Sequence, residues 1–167
     1  AITALHDKDF HWIDEKMASE LYSNGGFDRI YVLDPAARPL YAMYGGGKTA
    51  AQNFEADRAA VAPMVAHLKD KDAAGALAAY DGGNSDVVPN LAEFGLIDGR
   101  PAYVGVSAIM SESGDMEVEP GSENFLICVR FLDGALVKDF AGQYFIDGPS
   151  FAATAAPELA NYPLQNE

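Results

Sequence analysis

The dipeptide Asp98-Gly99 constrains this chain more than any other feature. It stands between two runs rich in β-formers, residues 91–97 and 101–110. Asp-Gly suits a two-residue hairpin turn, because both turn positions need positive φ. The two runs are therefore predicted to pair antiparallel. A third strand-like run, residues 124–132, follows after a polar stretch, 111–123, that reads as an exposed loop with five acidic residues. A second hairpin lies upstream. Residues 27–34 are strand-like, 35–39 carry two prolines and read as the turn, and 40–44 return before Gly45-Gly46-Gly47 breaks the strand. Five strands follow from these signals, in an antiparallel sheet.

Helical periodicity brackets the strands. Ile2, His6, Phe10, Ile13, Met17 and Leu21 recur at spacings of three and four, a single apolar stripe along a long helix over residues 3–23. Trp12 lies off that stripe, and Asn24-Gly25-Gly26 ends the helix. Asn53 is placed to cap a second helix whose apolar face is Phe54, Val61, Met64, Val65 and Leu68, with Pro63 as a kink or a second start. Residues 70–90 read as a loop with a short helix at 72–80, and 135–144 as a short helix. Phe10 and Leu132 are predicted on buried faces. An antiparallel sheet with helices packed on it is an α+β fold, and a long leading helix on about five strands is PAS-like or Cache-like.

Composition excludes several functions. At 167 residues the chain fits one domain, 1–167, and 49% hydrophobic content is enough for a core. A net charge of −14 repels phosphate backbones and anionic headgroups, so nucleic-acid partners are not expected. The lone Cys128 sits in an apolar run and is expected to be a buried, inert thiol. No apolar stretch approaches the roughly 18 residues of a membrane span. The chain opens on Ala and reads as a piece excised from a longer protein.

Motifs for chemistry are weak. Gly47-Lys48-Thr49 lacks the earlier Gly of a phosphate loop, Ala42 standing there, and reads as a flexible loop. His6 and His11 are five residues apart, so they share no helical face as a ligand pair would. No Gly-x-Ser-x-Gly surrounds Ser107, Ser111 or Ser113. No catalytic residue, metal site or cofactor is therefore expected. A soluble α+β enzyme, or a structural domain that binds partners, remains a rival reading.

One pattern points to binding. Tyr31, Tyr41, Tyr44 and Tyr103 lie in or beside strands, and Arg130 interrupts an apolar strand. Alternation puts Arg130 on the face opposite Ile127, Val129 and Phe131. A charge there needs a partner, either an internal carboxylate such as Asp34 or Asp133, or an acidic ligand group suited to the guanidinium fork. The candidate pocket is Tyr31, Tyr41, Tyr103, Ser107 and Arg130, floored by the sheet and walled by the long N-terminal helix. Alternation leaves open whether Tyr31 and Tyr41 share a face with Arg130.

Three blocks carry a resemblance. They are Asp9-Phe10-His11-Trp12-Ile13-Asp14-Glu15, then residues 26–34 continued by Arg38-Pro39-Leu40-Tyr41-Ala42, then Val129-Arg130-Phe131-Leu132-Asp133. In this order they resemble the fourth class of CHASE domains, although the family's tryptophan position falls on Ile13, beside Trp12. The resemblance implies a periplasmic sensor module of a bacterial receptor. Transmembrane helices would flank it, with a homodimer through the N-terminal helix. It implies a cytoplasmic output module, a GGDEF/EAL cyclic di-GMP enzyme or a histidine kinase. It fixes no ligand.

Overall fold

The computed structural model describes residues 2–72, 90–110, 122–145 and 147. Six strands form one antiparallel sheet: β1 (Arg29–Leu33), β2 (Pro39–Tyr44), β3 (Gly47–Thr49), β4 (Asn90–Ile97), β5 (Arg100–Ile109) and β6 (Asn124–Phe131). Their spatial order is β3-β2-β1-β6-β5-β4. The β4–β5 hairpin runs in unbroken register from Asn90 opposite Ser107 to Ile97 opposite Arg100. Its turn has Asp98 at φ 53° and Gly99 at φ 73°, the two positive values the dipeptide predicts.

The sixth strand corrects the expectation of five. Gly45 and Gly46, at φ 55° and 81°, turn the chain back on itself, so Gly47-Lys48-Thr49 pairs with β2 and is not a loose loop. The first helix is also corrected. It is broken rather than continuous over 3–23. α1 (Ile2–His6) stops where Lys8 takes φ 56°. Asp9 then caps a new start, its Oδ1 accepting from the Trp12 N–H at 3.0 Å. The second run passes through α2 (Phe10–Trp12), a π-helical segment (Ile13–Ala18) and α3 (Ser19–Ser23). Both the Ser19 N–H and its hydroxyl bond the Asp14 carbonyl five residues back, the latter at 2.8 Å.

The sheet buries both faces. On one, Tyr31, Leu33, Val104, Val106, Phe125, Ile127 and Val129 meet Phe54, Val61, Met64, Val65 and Leu68. Phe54 lies in a 3-10 segment (Ala51–Ala56) and the others in α4 (Arg58–Asp72), with Pro63 inside the helix. Asn53 caps no helix; its amide bonds the Thr49 hydroxyl at 2.6 Å. On the other face, Ile30, Val32, Tyr41, Met43 and Ile109 meet Ala4, Leu5, Ile13 and Ala18, with Phe10, Met17 and Leu21 partly buried beside them. From Phe10 onward the predicted apolar stripe is spent on the sheet, but in α1 it is Ala4 and Leu5 that are buried while His6 is exposed, and Trp12 is left 37% exposed. Leu132 is only half-buried, because β6 ends at Phe131 and its alternation gives the core Phe131 instead. α5 (Ala135–Tyr144) matches its expected bounds. The expected helix at 72–80 and the loop at 111–123 lie almost wholly outside the described residues.

Candidate functional site

Under the 3-10 segment lies a network of hydrogen-bonded charges. The Arg29 guanidinium, leading β1, donates to both Asp57 oxygens at 2.7 and 2.9 Å and to Asp98 at 2.5 Å. The Tyr31 hydroxyl bonds Asp57 and lies 2.9 Å from the Tyr44 hydroxyl, which donates to the Asn53 carbonyl at 3.0 Å. Phe54 and Tyr44 both meet the Tyr31 ring edge-on, at 5.1 and 5.8 Å. Burial first, and the bond to Asp57 second, push the Tyr31 phenol well above its ordinary range, so it stays a donor. For Arg29, burial works against the charge but the bonds to Asp57 and Asp98 prevail, and the guanidinium is held charged. Each strong donor here already has its acceptor. The network fastens the 3-10 segment and the β4–β5 turn to the central strand.

The opposite face is different beneath β5 and β6. Arg130 lies directly across from Tyr103, and Tyr103 directly across from Phe94. The Phe94 and Tyr103 rings meet at 5.7 Å. Gly105 follows Tyr103 on this face, and Ser107 follows Gly105. Gly105 carries no side chain, and a Cβ there would meet the edge of the Tyr103 ring at 3.8 Å. Gly26, at φ +66°, backs the arginine: a Cβ there would come within 3.3 Å of the guanidinium carbon. Cys128, opposite Gly105, is buried, and its thiol is pushed up to about 12 by that burial, so it is inert.

The chain has five arginines. Arg29 pairs with Asp57 and Asp98, Arg38 with Asp34, Arg58 with Glu55 and Arg100 with Asp133. Both carboxylates expected as internal partners for Arg130 are therefore taken. Asp34 is held by Arg38 at 2.7 Å and Asp133 by Arg100 at 2.5 Å. Among the described residues no side chain hydrogen-bonds Arg130, which is half-buried.

Asp34 carries a pH consequence. Burial raises its pKa, but the Arg38 N–H and guanidinium and the Ala36 N–H outweigh that and hold the carboxyl below its ordinary value. A depressed folded pKa contributes stability that is fully present above the unfolded value and lost as pH falls through the folded one. Urea melts of the native chain and of Asp34→Ala should therefore differ most near neutrality. Their gap should close progressively below about pH 4. A gap that stays constant into acid would contradict this role.

A family model agrees with the resemblance carried by the three sequence blocks. The model for the CHASE4 domain matches residues 1–150. The chain belongs to the CHASE4 family. CHASE4 domains are sensory, extracytoplasmic modules and not catalytic ones. No curated protein matches this sequence. Among the described residues of this CHASE4 domain, no helix is long and apolar enough to cross a membrane, and no three His, Cys, Asp or Glu side chains are grouped to hold a metal.

The five sequence-predicted residues divide between the faces of the CHASE4 sheet. Tyr103, Ser107 and Arg130 share one. Tyr41 lies on that same face but two strands away, fully buried, its hydroxyl bonded to Asp14 in the π-helical segment. Burial and that bond push its phenol well above the ordinary range. Tyr31 lies on the opposite face, in the Arg29 network. Sequence reading missed Arg29, Asp57 and Asp98 as a group. Arg29 standing two residues before Tyr31 in one strand was the available signal, but nothing local joins it to acids 28 and 69 positions away.

Proposed function

We propose that this CHASE4 domain is the periplasmic sensor of a membrane-bound bacterial receptor, and that the face around Arg130, Tyr103 and Ser107 takes a small molecule bearing an anionic group. The observation that carries this reading is the pairing of the arginines. Four of the five are matched to carboxylates, while Arg130 has no such partner among the described residues. No buried side-chain nitrogen among the described residues lacks a partner, so the Arg130 guanidinium reaches solvent, where a ligand carboxylate would supply two short charge-assisted bonds. The overall charge of −14 does not forbid this. Surface charges are screened within about 10 Å, whereas direct bidentate bonds in a partly dry site are not. Tyr103 would contribute an aromatic wall and a hydroxyl, and Ser107 a second hydroxyl.

Signalling needs only that the ligand bind one conformation better than another. The Arg130 face adjoins Gly26, just beyond the end of α3, so ligand contacts there act on the helical run that reaches back through Asp14 and Tyr41. Output would pass to a cytoplasmic module of the GGDEF/EAL or histidine-kinase type through flanking membrane helices.

A thermal-shift screen of small organic acids tests the site. A true ligand near a hundred times its Kd should raise Tm by roughly 5–10 °C. Arg130→Ala, still folded, should lose most of that rise. If no acid stabilises the native domain, the anionic-ligand reading fails. If one does and the variant responds equally, Arg130 is structural and the ligand sits elsewhere.

A further inference from the structure

Charge is unevenly spread over the half of the sheet that carries Arg130. Glu93 is the only acid in β4, β5 and β6, in a chain with 25 acidic residues. It lies opposite Val104, and Arg100 lies opposite Ile97, so both stand on the face that packs against α4. On the other face of these three strands Arg130 is the one charged residue. Asp28, just before β1, turns a carboxylate oxygen to the Phe131 N–H at 2.7 Å. The rest of the row is apolar and open. Arg130, Tyr103 and Phe94 stand opposite one another in turn across β6, β5 and β4. Neighbouring strands lie about 4.8 Å apart, so the row spans about 10 Å from β6 to β4. Phe94 is 77% exposed, and its ring meets that of Tyr103 edge-on at 5.7 Å. Leu96, next along that face of β4, is 54% exposed.

We propose that the ligand of this face is an aromatic monocarboxylate, with its carboxylate on Arg130 and its ring over Tyr103 and Phe94. This names the ligand class of the Arg130 site and rests on that reading of it. One cation matches one carboxylate. A second carboxylate would find no positive charge in the row and would meet the field of a chain at −14. The far end of the row presents two aromatic rings, against which a third packs offset or edge-on. A ring joined to its carboxylate by a short aliphatic spacer reaches both ends. An acid without a ring would leave Phe94 in water and forgo that burial.

Hydrocinnamate and propionate differ by one phenyl ring and test this directly. Titrated into the 167-residue chain and followed by amide chemical shifts, hydrocinnamate should bind at least about ten-fold more tightly. Its amide keeps the ring but not the charge, and should bind far more weakly than the acid. Phe94 lies outside both buried clusters, so Phe94→Ala spares the core. That variant should bring the ratio of the two affinities close to one, and Phe94→Tyr, which keeps a ring, should restore it. Glu93→Gln, on the opposite face of the same strand, should leave the ratio as it is. A native chain that binds both acids equally overturns the aromatic ligand and leaves the Arg130 site standing. So does a Phe94→Ala chain with native circular dichroism that keeps the full ratio. If the amide binds as well as the acid, or if neither acid binds, the Arg130 reading falls with it.

Discussion

Replacing Asp57 with alanine is expected to lower the unfolding free energy by about 3–5 kcal/mol. The Asp57 side chain is 0% exposed and the Arg29 side chain 14%. Removing the carboxylate leaves a guanidinium with two of its bonds gone in a poorly hydrated place, and leaves the Tyr31 hydroxyl with Tyr44 alone. The cost is mostly that of the stranded charge, not the net worth of the pair. A second change, Arg29→Leu, should therefore recover part of the loss when added to Asp57→Ala. The double-mutant cycle should show coupling well beyond the few tenths of a kcal/mol that separate sites give. Urea denaturation measures all three variants. A loss below about 1 kcal/mol for Asp57→Ala would mean that water reaches the guanidinium and that the network does not brace the fold.

Phe54→Ala should cost a similar amount, about 3–5 kcal/mol, by a different route. Phe54 is 1% exposed, although it sits in a 3-10 segment and not in a long helix. Its ring packs edge-on against Tyr31 at 5.1 Å and lies under the Arg58 guanidinium at 5.0 Å. Truncation leaves a ring-sized cavity between this segment and the sheet, and only the short segment can move to fill it. Phe54→Leu retains most of the volume and should lose less than half as much. If Phe54→Ala melts within about 1 kcal/mol of the native chain, the segment collapses freely and is not a fixed wall.

The parts of this fold that were legible in the sequence are those set by local chemistry. Asp98-Gly99 predicted a hairpin because both residues must take positive φ, and both do. The stripe of Phe10, Ile13, Met17 and Leu21 predicted which helix face meets the sheet. Strand alternation placed Arg130 opposite Ile127, Val129 and Phe131. The break at Lys8 was not legible, since lysine rarely takes φ 56° and the apolar spacing continues straight through it. The glycine triplet read as a stop because three glycines signal both an ending and a reversal, and here they give the reversal. The arginine pairings lay beyond reach. Arg100 takes Asp133 and Arg38 takes Asp34, and only the assembled sheet decides which acid each guanidinium meets. Those pairings are what leave Arg130 available.

The central claim, that the sensory face is the one bearing Arg130, is tested most directly by mapping a bound acid onto the sheet. Amide chemical shifts of the isotopically labelled domain, recorded while titrating the best acid from the thermal-shift screen, report each residue separately. The account predicts saturable changes at Tyr103, Gly105, Ser107 and Arg130 and at Gly26 behind the guanidinium, with the amides of Arg29, Tyr31 and Asp57 unmoved. Changes gathered instead at Arg29, Tyr31 and Asp57 would contradict it and move the site to the opposite face of the sheet.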